Sequence, residues 1–317
     1  MDKQLLYPRH WPSWLVIGIL RVLAFLPLQY LVTLGKYSGY GLYYLLSGRR
    51  HVVEVNADLC FPEFSEAEKK QFAKDVFASS IMGFFETFYS WWASDEALQG
   101  IVDYEGLELI EQYHKDGRGL LVIGAHFTTL DLAGRLIRLK IDPDVSYRKQ
   151  NNAVFDYCIY KFRSKNFTHV VEKNEMRRLV RLVRNGRIMW LASDQDFGRR
   201  NSVFAPFFGH PTATLNSVSR IIKLSGAKPL LFTHYRFTDA NGKIRYRLRF
   251  SDPFGEQLGD DDLSNATLIN KAIEDAVRIA PDQYMWVHRR FKTRENPDDP
   301  KLYQFKHKKT KRRKRNG

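Results

Sequence analysis

The stretch Gly119-Leu120-Leu121-Val122-Ile123-Gly124-Ala125, running into His126-Phe127-Thr128-Thr129-Leu130-Asp131, decides the fold. Its first seven residues are apolar or small with no polar alternation. That pattern suits a short strand covered on both faces, not a strand with one wet side. Residues 129–139 then recur at helical spacing. A buried strand leading straight into a helix is the building unit of an α/β layer structure.

The alternation continues towards the C-terminus. Residues 145–148 read as a strand, 153–165 as a helix, and 174–185 as a basic helix ended by Gly186. Residues 187–193 (RIMWLAS) form a second continuous apolar strand, followed by a helix over 215–224 and a strand over 229–237. Asn241-Gly242 is a hairpin signal leading into a strand over 243–250. A helix over 267–279 and a last strand over 284–288 complete the body. The expected fold class is α/β, with a mostly parallel central sheet flanked by helices.

The N-terminal part has a different texture. Residues 14–34 (WLVIGILRVLAFLPLQYLVTL) are long enough for one membrane crossing, which takes about 20 apolar residues. Arg21, Gln29 and Pro27 interrupt the run, while Trp11, Trp14 and Tyr30 suit an interfacial belt. An N-terminal membrane-anchoring helix is therefore expected, and the residues leave spanning and lying in the interface as alternatives. Further on, Ser65-Glu66-Ala67-Glu68 spells a capping box. It opens a helix through about Trp91 whose end, IMGFFETFYSWW, is apolar almost all round. Such a surface calls for burial in the core or for an acyl-chain groove. The chain divides into a membrane anchor (1–48), an α/β domain (49–296) and a basic tail (297–317) expected to be disordered.

The charge of +15 is uneven, because residues 306–315 hold eight Lys or Arg and no acid. A basic surface calls for an acidic partner: nucleic acid, anionic lipid, a phosphorylated substrate or an acidic protein. Cys60 and Cys158 lie far apart and make neither a disulfide framework nor a metal-ligand spacing. No nucleophile elbow, Walker A loop, His-Glu-x-x-His or paired Cys-x-x-Cys occurs, so serine-nucleophile and metal hydrolysis lack support.

The chemistry-bearing residues gather where strands end. Along a continuous helix His126 and Asp131 would project about 140° apart. They meet only if His126 lies in the loop and Asp131 in the first helical turn, with Thr128 or Thr129 as N-cap. Asp131 would then hold one imidazole nitrogen and leave the other as a base. Asp194-Gln195-Asp196-Phe197-Gly198 follows the strand RIMWLAS and would face the same sheet edge. Arg148 ends a third strand and Arg163 closes the helix after it, and guanidinium groups there suit phosphate.

These segments, with Gln283-Tyr284-Met285-Trp286-Val287-His288-Arg289-Arg290-Phe291-Lys292-Thr293-Arg294, resemble the bacterial lipid A late acyltransferases (lauroyl/myristoyl transferases) of the lysophospholipid acyltransferase superfamily. The similarity runs from the N-terminus to about Arg294. It implies a glycerolipid-acyltransferase-like fold and transfer of a fatty acyl chain from acyl carrier protein to a hydroxyl of a phosphorylated, Kdo-bearing lipid A precursor. It implies the cytoplasmic face of the inner membrane and no cofactor beyond the carrier's phosphopantetheine, while the basic tail, outside the resemblance, suits anionic membrane lipids as neighbours. By the resemblance, catalytic roles fall to His126 and Asp131 and other essential polar roles to Arg163 and Asp194; from its place at a strand end, Arg148 joins Arg163 and Asp194 as a substrate-binding candidate. No metal and no nucleic-acid partner are expected. Glu is usual in the family where Asp131 stands, so the reach of the shorter side chain to His126 is in question. The alternatives are a glycerolipid (lysophosphatidate-type) acyltransferase and a non-enzymatic, membrane-tethered basic binding protein.

Overall fold

The computed structural model describes residues 3–304 apart from 116, 173 and 260. Four helices come first: α1 (Trp11–Leu23), α2 (Leu28–Leu45), α3 (Ser47–Cys60) and α4 (Glu66–Trp92), then the short α5 (Asp95–Gln99). The alternating part follows as β1 (Val102–Glu105), α6 (Leu107–His114), β2 (Leu120–Gly124), α7 (Leu130–Ile137), β3 (Pro143–Tyr147), α8 (Ala153–Asn166), β4 (Val170–Glu172), α9 (Met176–Arg184) and β5 (Ile188–Ala192). A hairpin, β6 (Ser202–Phe207) and β7 (His210–Leu215), precedes α10 (Ser217–Ser225), β8 (Lys228–Thr238), β9 (Ile244–Ser251) and α11 (Asp262–Ile279).

Seven strands form the main sheet in the order β1-β9-β8-β2-β5-β3-β4, every neighbouring pair parallel except β8 with β9. β2 lies at the centre and all five of its residues are buried, as its unbroken apolar run requires. Its two faces feed different cores. Leu121, Ile123 and Ala125 pack with side chains of α9, α10 and α11, whereas Leu120 and Val122 pack with those of α6 and α7.

The capping box closes as its sequence indicates, with Ser65 accepting from the Glu68 amide and Glu68 accepting in return. Other expectations need correction. Residues 284–288 form no strand, only a single bridge between Tyr284 and Phe127. The β6–β7 hairpin was not foreseen, nor were β1, β4, α3, α5 and α6.

The run over 14–34 is not one helix. α1 stops at Leu23 and α2 restarts after Pro27, whose fixed φ suits a helix start but whose missing N–H cannot continue one. Among the described residues no helix is long and apolar enough to cross a membrane. α2 instead packs on α4, where Gly35 and Gly39 let the backbones approach: a Cβ at either would lie within 3 Å of Met82 or Ala78 backbone atoms. Of the tail 297–317, residues 297–304 are among the described residues. Tyr303 is buried and its hydroxyl donates to Asn56 Oδ1 at 2.6 Å. The basic run 306–315 lies outside the described residues.

Candidate active site

The site follows from strand register. β2 and β5 run parallel with Gly124 beside Ala192, so two residues further on His126 comes beside Asp194. Asp194 is only 2% exposed and binds His126 twice. His126 Nδ1 lies 2.6 Å from its Oδ1, and the His126 amide donates to its Oδ2 at 2.9 Å. With Nδ1 engaged, Nε2 has no hydrogen-bond partner among the described residues. Burial alone would lower the imidazole pKa, but the Asp194 charge and hydrogen bond outweigh it and raise it above the ordinary 6.5. Burial likewise opposes the Asp194 carboxylate, yet His126 holds its pKa down at about 2.

Asp131 stands in the first turn of α7, as expected, but it does not orient the imidazole through a hydrogen bond. Its Oδ1 accepts from Arg163 Nη2 at 2.9 Å, and Thr87 approaches Oδ2 at 3.5 Å. The reason is geometric. The helix start turns Asp131 towards α8, where Arg163 waits, while the end of β5 already fills the Nδ1 side of the ring. Arg163 also lies over the Tyr147 ring, 5.8 Å from its centre. Arg148 does not join this cluster: its side chain is exposed beyond the end of β3.

Thr129 occupies the N-cap position of α7 without a side-chain cap bond. Its hydroxyl is committed to His234 Nδ1, 2.7 Å away on β8. His234 is buried, and desolvation followed by the nearby His126 charge pushes its pKa down to about 3, so it stays neutral at working pH. On the other side of the loop α4 presses against it at Gly83, where a Cβ would meet Thr128 O at 2.2 Å.

Beside this cluster opens a pocket of about 600 Å3, including its mouth. Asp131 and Arg163 are among its lining residues, and the rest are mostly apolar, including Val122, Gly134, Trp190 and Phe232. Trp190 reaches across the sheet because Gly124 has no side chain; a Cβ there would lie 2.7 Å from its Nε1. The aromatic end of α4 does not line the pocket. Trp91 stacks on Phe162, which does, so α4 backs the wall from behind. The packing of Phe88 against Trp91, Trp92 and Phe155 accounts for much of the rest of that apolar helix end.

Sequence reading missed His234 and Trp190 and gave Asp194 a substrate-binding role. The Asp194 partnership was signalled all the same: GLLVIGA-His126 and RIMWLAS-Asp194 place His and Asp at the same offset in two parallel strands.

The chain is similar to known proteins along nearly its whole length. The family described as bacterial lipid A biosynthesis acyltransferase matches residues 1–293. The lipid A biosynthesis palmitoleoyltransferase of Escherichia coli (strain K12) is 35% identical over 294 residues, 92% of this chain and 95% of that protein. The lauroyltransferase of the same organism is 33% identical over 292 residues, covering 92% and 94%. Its myristoyltransferase is 28% identical over 301 residues, covering 92% and 90%.

Proposed function

Because this chain belongs to the bacterial lipid A biosynthesis acyltransferase family, and is an acyltransferase, we propose that it moves a fatty acyl chain from acyl carrier protein to a hydroxyl of a Kdo-lipid IVA-type precursor, with His126 as general base. The observation carrying this reading is the His126–Asp194 pair beside an apolar pocket. Asp194 fixes the proton on Nδ1 and turns Nε2 outward as the base. A sugar or acyl-chain hydroxyl is too weak an acid to ionise unaided, and a positioned base contributes roughly 10²–10⁴-fold. The hydroxyl oxygen attacks the thioester carbonyl while its proton passes to Nε2. The tetrahedral intermediate then expels the carrier thiolate, which takes that proton back from the imidazolium. The products are an ester and a free thiol.

Asp131 and Arg163 serve the substrate rather than the ring. Arg163, held by Asp131 at the pocket lining, supplies positive charge for the developing thioester oxyanion. The apolar pocket takes the acyl chain. Exposed Arg148 and Lys149 after β3, with Lys161 and Lys165 on α8, add basic surface suited to the phosphates of the acceptor and to an acidic carrier. No cofactor beyond the carrier's own arm is needed for this chemistry.

Attachment to the cytoplasmic face of the inner membrane fits α1, the turn after it and the start of α2, which carry Leu15, Ile19, Val22, Phe25 and Tyr30 exposed, Phe25 at 77%. A helix pair with such a face lies in the interface without spanning. Anionic lipid headgroups would meet its basic surroundings.

The test is mass spectrometry of lipid A from cells lacking the gene. Loss of one secondary acyl chain, restored by the intact gene and not by His126→Ala, is the expected result. Unchanged lipid A, with acylation of lysophosphatidate by the purified protein, would favour the glycerolipid alternative.

A further inference from the structure

The segment that follows α11 is the most distinctive motif in the sequence, yet none of its side chains enters the chemistry above. Its backbone does something else. Thr128 N donates to Gln283 O at 2.7 Å, and Met285 N donates to His126 O at 3.0 Å. Phe127 and Tyr284 thus pair as a one-rung antiparallel ribbon. His126 is therefore gripped at both main-chain groups, its N–H by Asp194 and its C=O by Met285. Gln283 in turn is locked to β8: its Oε1 accepts from Arg236 N and its Nε2 donates to Arg236 O, both at 2.8 Å. That double bond copies a strand pairing with one side chain. Behind it Arg236 makes a 2.5 Å ion pair with Glu86 of α4, which Tyr246 also reaches at 2.6 Å.

Resting on the acyl-transfer reading of His126, we infer that Gln283 is a positioning residue: its amide clamps the loop carrying His126 onto β8 and so sets the direction of the base. Backbone groups at strand ends lose their ladder partners, and β2 pairs with β8 only as far as Ile123. The Gln283 amide and the Gln283–Met285 backbone restore that connection where β2 has left the sheet. Nothing else among the described residues bonds the His126 carbonyl.

Gln283→Met keeps length and volume but removes both amide bonds. The expected result is a fall in kcat of about 10²-fold, the cost of a misplacement of order 1 Å. KM for both substrates should stay within about twofold, since no binding group is touched. The 15N titration midpoint of the His126 imidazole should also move down as its pairing with Asp194 loosens. Asn270→Ala removes bonds to Pro206 and Thr214 and none to the loop carrying His126, so it should lower thermal stability while leaving the midpoint and kcat unchanged. Unchanged kcat and midpoint in folded Gln283→Met would overturn the proposal. If the wild-type protein transferred no acyl group, the titration would still decide the positioning claim, separately from the reaction. Should Gln283→Met fail to fold, amide exchange in the wild type takes its place. The Thr128, Met285 and Arg236 amides should share one protection factor, and free exchange at Thr128 and Met285 would refute the clamp.

Discussion

Asp194→Asn is the change that interrogates the site most sharply. Asn is nearly the same size, so the 2%-exposed position is refilled without a cavity. Its carbonyl oxygen can still accept from the His126 amide, now 2.9 Å from Oδ2. The NH2 group then faces Nδ1, where an acceptor stood at 2.6 Å. Two donors cannot share that contact, so the ring proton moves to Nε2 and the base is lost at the atom that needs it. Where an Asp-to-Asn change forces the wrong tautomer in a comparable His–Asp pair, kcat drops by about 10⁴. A loss of 10³–10⁴-fold is expected here, equivalent to roughly 4–5.5 kcal/mol of barrier. The assay is single-turnover transfer from acyl carrier protein, with product counted by mass spectrometry. Adding His126→Ala to Asp194→Asn should cost little more than His126→Ala alone, because the two act as a unit. A folded Asp194→Asn protein with activity within tenfold of wild type would refute the orienting role.

Other perturbations separate the remaining parts. In the wild type kcat/KM should rise with pH through a midpoint above 6.5, since Asp194 raises the His126 pKa against burial; a midpoint below 6.5 would contradict that balance. Asp194, held at about 2 against an ordinary 3.8, contributes stability that is present above the higher value and lost as pH falls towards the lower. Urea midpoints should accordingly fall over that window in the wild type and much less in Asp194→Asn. Arg163→Lys keeps the charge but breaks the geometry at Asp131, and should cost about 10–150-fold in kcat, the worth of a charged hydrogen bond of roughly 1.5–3 kcal/mol. Gly134→Val adds bulk to the pocket wall, where even a Cβ would sit 3.4 Å from Phe167, and should shift competition between donors towards shorter acyl chains by about tenfold or more. Replacing the exposed Ile19 and Val22 together by Asp should weaken sedimentation with anionic vesicles by more than about tenfold, leaving activity on detergent-dispersed substrate intact.

The sheet was legible because its central strands are apolar without interruption, and continuous apolar runs mean burial on both faces. The edge strands were not. β1 (Val102–Glu105) carries Asp103 and Glu105, which pair with Arg245 and Arg247 of its neighbour, so its strand character comes from cross-strand charges. Residues 284–288 look like a strand because they are apolar and aromatic. Their burial comes instead from ring packing, such as Trp286 against Phe61 and Phe72. The 14–34 run misleads for a related reason: hydropathy counts residues, but Pro27 divides them into two helices and Gly35 and Gly39 fasten the second to α4. At the site, His126 and Asp131 were found by local spacing. The true ring partner lies 68 residues away, and only the parallel register of β2 with β5 brings it there. His234 and Trp190 left no local signal, since each matters through what the neighbouring strand omits or offers.

In the reaction proposed for this site, His126, aimed by Asp194, activates a lipid A precursor hydroxyl against a carrier-bound thioester. Its most direct test is to incubate purified wild-type and His126→Ala protein with acyl carrier protein bearing a labelled fatty acyl chain and with the Kdo-bearing lipid A precursor, then weigh the lipid. Wild type should yield a product heavier by one acyl group, and His126→Ala none above background. Transfer by His126→Ala at the wild-type rate, or a labelled chain left covalently on the protein, would contradict it.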